Sequence, residues 1–92
     1  MLVKELEWEK KELMDGEDII FTAHINEERF TVLDRLTGWG DGNFRDTETG
    51  FKDATGKFWL ASGMFDIRDF PELTIPEAVN LVKKEANTCI GI

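Results

Sequence analysis

A repeated Thr-Gly segment in the middle of the chain constrains the fold more than any other feature of the sequence. Residues 34–41 read DRLTGWGD and residues 46–53 read DTETGFKD, so both have the form Asp-x-x-Thr-Gly-aromatic-x-Asp. A third, shorter pair stands at Thr55-Gly56. Because Asp, Thr and Gly are common in turns and strand-forming residues lie between them, the pattern predicts a small antiparallel meander with turns at the Thr-Gly pairs.

One hairpin of this meander is indicated by composition and alternation. Residues 18–25 are rich in β-branched and aromatic side chains, and residues 29–36 alternate apolar with polar ones. Residues 26–28 between them, Asn-Glu-Glu, predict a tight return. Two consecutive antiparallel strands are therefore expected here.

Three shorter strands are predicted further along the chain. Residues 44–47 and 51–52 flank the Thr49-Gly50 pair, which we expect to form a turn between them. Residues 57–61 carry large side chains at both alternating positions. That pattern predicts a strand that is partly covered on both faces.

Residues 4–13 fit two kinds of element. Leu2, Leu6 and Trp8 share one parity against charged neighbours, which favours a strand with one face in water. Glu, Lys and Leu are strong helix formers, however, so a helix stays open as the alternative. The Asp15-Gly16 pair ends the segment in either case.

A C-terminal helix is predicted from Thr74 onwards. Thr74 and Glu77 have the spacing of a capping box. Apolar side chains then recur at helical spacing, at Ile75, Val79, Val82, Ala86 and Cys89. The sequence as a whole therefore predicts a single α+β domain over residues 1–92, an antiparallel meander sheet of about five strands with one C-terminal helix packed on a face.

The chain is acidic, and its charge is unevenly distributed. The formal net charge is −8, and the first 28 residues contribute −6 of it through nine acidic and three basic side chains. A negative field of this kind repels phosphate backbones and attracts basic surfaces. Since the basic residues are also not clustered, we expect no direct nucleic-acid binding.

No catalytic set and no metal site is predicted. His24 is the single histidine and Cys89 the single cysteine, and no pattern in the sequence brings them together for nucleophilic catalysis. Arg45 and Lys52 occupy ligand positions of a calcium-binding loop that would start at Asp41. We therefore expect no metal, no cofactor and no enzymatic activity, with His24 as a structural or surface residue and Cys89 as a small apolar residue of the helix.

The sequence favours a cytoplasmic protein. It contains no apolar run of the roughly 18 residues that a membrane helix needs. Its first residues lead directly into the charged pair Lys4 and Glu5 rather than into an apolar signal sequence. A single cysteine also excludes an internal disulfide. We expect no association with a membrane.

Trp39 is the residue that is hardest to explain by folding alone. It lies between Gly38 and Gly40 and two residues before Asp41, so its large apolar side chain is exposed unless it folds back onto the sheet. Tryptophan is frequent among the residues that anchor protein interfaces. Two interpretations stay open: Trp39 covers the sheet edge, or Trp39 and Asp41 contact a partner.

The acidic N-terminal stretch around Trp8 is a second candidate region. An acidic patch with an aromatic anchor speeds the encounter with a basic partner and then holds it. The alternative is that Trp8 lies beneath the helix. The predicted partner-binding residues are therefore Trp39, Asp41, Glu5, Glu7, Glu9 and Trp8.

The leading hypothesis is a small, acidic, non-enzymatic protein-binding module, an inhibitor or adaptor that binds a partner with a basic surface in fixed stoichiometry. Nucleic-acid-handling host enzymes are partners of this kind. In its size, acidity and lack of a catalytic set the chain resembles the accessory proteins of phages and other mobile elements, a likeness that rests on no shared motif. The alternatives are a structural subunit that self-associates as a homo-oligomer, and a small enzyme that uses Asp41, Asp46 and Asp53.

Overall fold

Six strands pair in chain order in the computed structural model of the protein. They are β1 (Glu9–Leu13), β2 (Asp18–Ile25), β3 (Glu28–Trp39), β4 (Gly42–Lys52), β5 (Phe58–Ala61) and β6 (Thr88–Ile90). One α-helix, α1 (Ile75–Glu85), lies between β5 and β6 in the chain, and 3-10 helices span Val3–Glu5 and Ile67–Asp69. The structure describes residues 1–13, 18–39, 42–61, 63–86 and 88–90, and within these ranges all side chains except those of 36–39, 42–45 and 88–90.

The predicted α+β fold, an antiparallel meander sheet with one helix packed on it, is confirmed. Every neighbouring pair of strands runs antiparallel. The helix packs against β4 and β5. Its buried side chains Ile75, Ala78 and Val82 join Phe30 and Phe51 in the core. The core therefore lies between α1 and one face of the sheet, which we call the inner face.

The helix begins where the sequence predicts. The Thr74 hydroxyl accepts from the Glu77 amide at 3.4 Å, and the Glu77 carboxylate accepts from the Thr74 amide at 3.0 Å, so the capping box is confirmed. The hydrogen bonds to the Thr74 amide and, secondarily, to its hydroxyl lower the pKa of Glu77. This local signal therefore sets the start of α1.

The helix ends earlier than its apolar stripe predicts. It stops at Glu85, and Thr88–Ile90 form β6 with Cys89 opposite Trp59 of β5. The prediction that Cys89 lies on the helix is therefore wrong. Thr and Ile favour strands, and residues 88–90 gain ladder hydrogen bonds to β5 that a longer helix would not provide.

The predicted hairpin of β2 and β3 is confirmed. The two strands pair up to Ile25 opposite Glu28, so Asn26 and Glu27 form the turn. Asn26 has a φ of 54°, in the left-handed region that Asn adopts more readily than most residues. Asn26 therefore suits the left-handed backbone conformation that this turn requires.

Residues 4–13, which fit both a strand and a helix, form one element of each kind over short stretches. Val3–Glu5 is a 3-10 helix, and the strand that the parity favours extends only over Glu9–Leu13. The Val3 amide donates to the Leu73 carbonyl at 2.8 Å. This bond holds the first residues of the chain against the segment that precedes α1. β1 therefore begins only at Glu9, beyond that contact.

Two of the three Thr-Gly pairs do not form turns, so the prediction is wrong for them. β3 and β4 form one long ladder, and both Thr37-Gly38 and Thr49-Gly50 lie inside it. The separate strands predicted at 44–47 and 51–52 are therefore parts of a single strand. Thr55-Gly56 does lie in a turn, between β4 and β5.

The Asp53 carboxylate organises that turn. It accepts hydrogen bonds from the Thr55 hydroxyl and from the amides of Thr55 and Lys57, the two amides at 3.0 Å. The bond from the Thr55 hydroxyl is the main reason that the pKa of Asp53 lies below its ordinary value. The carboxylate is thus occupied by its own turn, as Asp is in many turns of this kind.

Packing on both faces of the sheet explains the Thr49-Gly50 pair. The buried Thr49 hydroxyl donates to the Phe65 carbonyl at 2.9 Å and accepts from the Ile67 amide at 3.0 Å. On the other face, a Cβ at Gly50 would lie 2.3 Å from Cζ of Phe58, so the aromatic ring covers the glycine. Thr49 therefore fastens the loop after β5 to the inner face, and Gly50 makes room for an aromatic ring.

The outer face of the sheet is the side away from α1. Its side chains alternate with the core residues along each strand. Five of the described side chains on it are apolar and half-buried: Leu13, Ile20, Leu33, Phe58 and Leu60. Within the described residues the α-helix lies on the inner face, so these side chains face away from the core that it closes.

Candidate functional site

An open pocket of about 280 Å³ lies at the start of β1. It is lined by Glu7, Trp8, Glu9, Thr22 and His24. Glu9 and Thr22 are direct partners in the β1–β2 ladder. The pocket therefore forms where the N-terminal segment joins the sheet beside β2.

Apolar anchors on the N-terminal segment position the pocket. Val3 and Leu6 are buried in the core cluster, and Trp8 is half-buried and packs against the same cluster. Glu7 and Glu9, on either side of Trp8, are exposed. This alternation holds the indole in place while both neighbouring carboxylates reach water.

The pocket carries negative charge that has no partner within the described part of the chain. Neither Glu7 nor Glu9 takes part in any ion pair found there. Two free carboxylates beside an indole suit an ammonium or guanidinium group, because carboxylates pair with the cation and an aromatic ring attracts it through its face. The exposed His24 imidazole completes the rim.

The structure brings three of the predicted partner-binding residues together and separates a fourth from them. Glu7, Trp8 and Glu9 all line the pocket. Glu5 belongs to the first 3-10 helix, where its carboxylate accepts the Leu2 amide at 2.6 Å. The Glu5 carboxylate therefore caps a local element instead of lining the pocket.

Trp39 is the last residue of β3 and pairs with Gly42 at the start of β4. The side chain of Trp39 and the whole of Asp41 lie outside the described residues, so their predicted contact with a partner stays a prediction. Thr31 of β3 lies opposite Thr22, which lines the pocket. Trp39 is eight residues further along β3, a separation of roughly 26 Å at the usual strand rise.

The backbone around Trp39 forms a two-stranded ribbon. Arg35 is the last β3 residue that pairs with the described part of β2, and residues 36–39 and 42–45 continue as a ladder with each other. We call residues 36–39 and 42–45 the β3–β4 ribbon. The predicted site thus divides into two regions, the pocket and this ribbon.

Thr22 and His24 are pocket residues that the sequence did not predict as partner contacts. They reach the pocket through the β1–β2 register, which places Glu9 opposite Thr22. His24 and Cys89 do not meet, since β2 and β6 are separated by three strands, or roughly 19 Å at the usual strand spacing. A strand register depends on long-range pairing and leaves no local signal for these residues.

A second cluster of charged side chains, Asp34, Asp66 and Arg68, lies at the edge of the inner face. The Arg68 guanidinium contacts the Asp66 carboxylate at 2.7 Å and that of Asp34 at 3.4 Å, and it lies 4.3 Å from the ring centroid of Phe21. Its hydrogen bonds to Asp66 raise the pKa of Arg68. Thr47 donates to Asp34 at 2.9 Å. Because these groups satisfy one another, the cluster fastens the second 3-10 helix to the sheet.

Two other kinds of site are absent from the described residues. In that part of the chain, no group of three or more His, Cys, Asp or Glu side chains is arranged to hold a metal ion. Nor is any helix there long and apolar enough to cross a membrane. Comparisons of the chain with protein-family models, with curated proteins and with solved structures give no match.

Proposed function

We propose that the protein is a small non-enzymatic binding module that inhibits or adapts a basic protein partner in the cytoplasm. The observation that carries the proposal is the pocket, in which two carboxylates with no ion pair among the described residues flank a half-buried tryptophan. A lysine or arginine side chain of the partner enters this pocket. Accessory proteins of phages and mobile elements that act on nucleic-acid-handling host enzymes would have this chemistry.

The charge and the aromatic ring of the pocket would affect both the rate of association with a basic partner and the affinity for it. The net charge of −8, concentrated near the N-terminus, draws a basic surface toward the pocket side of the molecule. Once the cation is bound, a cation–π contact with Trp8 contributes about 0.5–2 kcal/mol to binding. The contribution increases as water is displaced from the contact. Glu7 and Glu9 then fix the position of the cation by direct ion pairs.

The β3–β4 ribbon provides a second contact region in this proposal. A two-stranded ribbon that runs past the described part of β2 can reach a partner that already occupies the pocket. Trp39 near its end is the predicted anchor. Contacts at two regions roughly 26 Å apart would give a standard-sized interface rather than a single anchored side chain.

Affinity capture from a lysate of the source cells tests the proposal. The wild-type protein, a Glu7→Gln/Glu9→Gln variant and a Trp39→Ala variant are immobilised in parallel, at low and at moderate salt. We expect one dominant partner with a basic surface, at least about tenfold less of it with each variant, and weaker capture at moderate salt.

The matched control is Glu12→Gln/Glu85→Gln, which removes the same charge from two exposed carboxylates that do not line the pocket. Capture by this control should stay close to that of the wild type. Equal losses with the control and with the pocket variant would show that overall charge, and not the pocket, determines binding. A partner retained in full by the pocket variant would contradict the proposal.

Self-association is the second candidate function. It is favoured by the half-buried apolar side chains on the outer face, where Ile20 and Leu33 are cross-strand neighbours. A second sheet that covers this face would bury them. Light scattering after gel filtration decides between the two functions in the absence of a partner: a stable symmetric oligomer favours self-association, and a monomer favours the binding module.

A further inference from the structure

A row of nitrogen-bearing side chains crosses the outer face beside the pocket. His24 of β2 lies opposite Arg29 of β3, and Arg29 lies opposite Lys52 of β4. Side chains in register on neighbouring strands lie on the same face, about 5 Å apart. We call His24, Arg29 and Lys52 the cationic row. It stands out in a chain whose net charge is −8.

Arg29 in this row has a buried donor without an acceptor. Its Nε is buried and makes no hydrogen bond in the described part of the protein. The ion pairs found among the described residues involve none of the three members of the row. An unsatisfied buried donor costs about 1–3 kcal/mol, and more when the group is charged, so a rotation of the half-buried Arg29 side chain that brings Nε to an acceptor at the surface would be favoured.

We propose that the cationic row is a carboxylate-binding site. When the half-buried Arg29 side chain rotates toward solvent, its Nε and an adjacent guanidinium nitrogen donate to the two oxygens of one carboxylate, and Lys52 adds a third, charge-assisted donor. The charge around the site selects a carboxylate over a phosphate. Glu9 lies on the same face two residue pairs along the ladder from His24, opposite Thr22, and repels a dianion more than a monoanion.

The carboxylate site lies directly beside the acidic pocket, and His24 belongs to both. A partner segment that presents a basic and an acidic side chain next to each other would therefore satisfy both sites at once. This pairing rests on the proposed function. The carboxylate site itself does not, because its donors are Arg29 and Lys52, neither of which lines the pocket.

A titration followed by NMR tests the site, with the Nε–Hε signals of the arginines as the readout. The probes are N-acetylglutamate N-methylamide, which presents a side-chain carboxylate, N-acetylalanine, which presents a terminal one, inorganic phosphate, and chloride at matched ionic strength. We expect the Arg29 signal to move and saturate with the carboxylate probes. The stronger of these two probes identifies the source of the carboxylate.

Arg35 is the internal control, because it lies on the same face and already contacts Glu48 at 3.9 Å. Its signal should move much less than that of Arg29. Lys52→Gln should weaken the carboxylate response about tenfold, equivalent to about 1.4 kcal/mol. Glu7→Gln/Glu9→Gln should leave it unchanged or strengthen it, which separates this site from the pocket.

Three results with the wild-type protein would overturn the proposal. They are an Arg29 signal that does not move, one that moves equally with chloride, and one that responds more strongly to phosphate than to either carboxylate. Loss of the carboxylate response in the Glu7→Gln/Glu9→Gln variant would also overturn it, since the pocket would then be the site of binding. The amide spectrum of each variant shows directly that it is folded.

Discussion

Replacing Thr49 with Val is expected to lower the free energy of unfolding by at least about 1–3 kcal/mol, because the buried Ile67 amide loses its partner and the part-buried Phe65 carbonyl loses one as well. Thr49 is 0% exposed, and its hydroxyl bonds to the Phe65 carbonyl and the Ile67 amide. Val keeps the shape of Thr but has no hydroxyl. Urea denaturation at equilibrium, followed by tryptophan fluorescence, measures the change.

Thr49→Ser is the matched control, since it keeps the hydroxyl and loses one methyl group. Its cost should be close to about 0.8 kcal/mol, the value for one buried carbon. A Thr49→Val protein as stable as the wild type would mean that the hydroxyl does not fasten the loop after β5 to the sheet. A Thr49→Ser protein less stable than Thr49→Val would lead to the same conclusion.

Replacing Gly50 with Ala is the second change with a large expected effect. The new Cβ would lie 2.3 Å from Cζ and 2.9 Å from Cε2 of Phe58, closer than such atoms approach in proteins. The ring has to move from a position against the sheet, and forcing extra carbon into a packed site typically costs about 1–3 kcal/mol. Equilibrium unfolding in urea again gives the number.

A double-mutant cycle with Phe58→Ala isolates the cause. Without the ring, Gly50→Ala should be neutral or stabilising by up to about 1 kcal/mol, because Ala loses less backbone entropy than Gly in a strand. The coupling energy between the two positions should therefore exceed about 1 kcal/mol. An equal cost of Gly50→Ala in both backgrounds would rule out the Phe58 ring as the reason for the glycine.

The predictable parts of this fold are those with local signals. The Thr74 and Glu77 capping box requires residues three apart, and the β2–β3 turn requires Asn26 and its neighbour. Both are confirmed, and each depends on the preferences and hydrogen bonds of residues that are close in sequence. The prediction that the helix extends to Cys89 is wrong because residues 88–90 pair with β5, which is distant in sequence. This strand pairing outweighs the helical spacing of the apolar residues.

The prediction of turns from the Thr-Gly repeat is correct at only one of the three pairs. Thr and Gly favour turns when nothing else acts on them, and Thr55-Gly56 does lie in one. At Thr49-Gly50 the same residue types are explained by packing: the Thr49 hydroxyl bonds to two backbone groups of the loop after β5, and Gly50 leaves space for the Phe58 ring. Composition alone cannot separate these two uses, since the second depends on Phe58 and Phe65.

The candidate site was predictable only where it is contiguous. Glu7, Trp8 and Glu9 follow one another, so an acidic region around a tryptophan can be inferred from the sequence. His24 and Arg29 join the same face through the strand register, which is fixed by the β2–β3 hairpin and its pairing with β1. The cationic row therefore became apparent only in the structure.

The central claim is that the pocket binds a cationic side chain. The most direct test is an NMR titration with Nα-acetyllysine N-methylamide, with the norleucine analogue, which lacks the ammonium group, as its uncharged control. The claim predicts saturable shifts at the Trp8 indole and at the amides of Thr22 and His24 with the lysine compound alone, and their loss in Glu7→Gln/Glu9→Gln. Equal shifts with both compounds, or none at these groups, would contradict it.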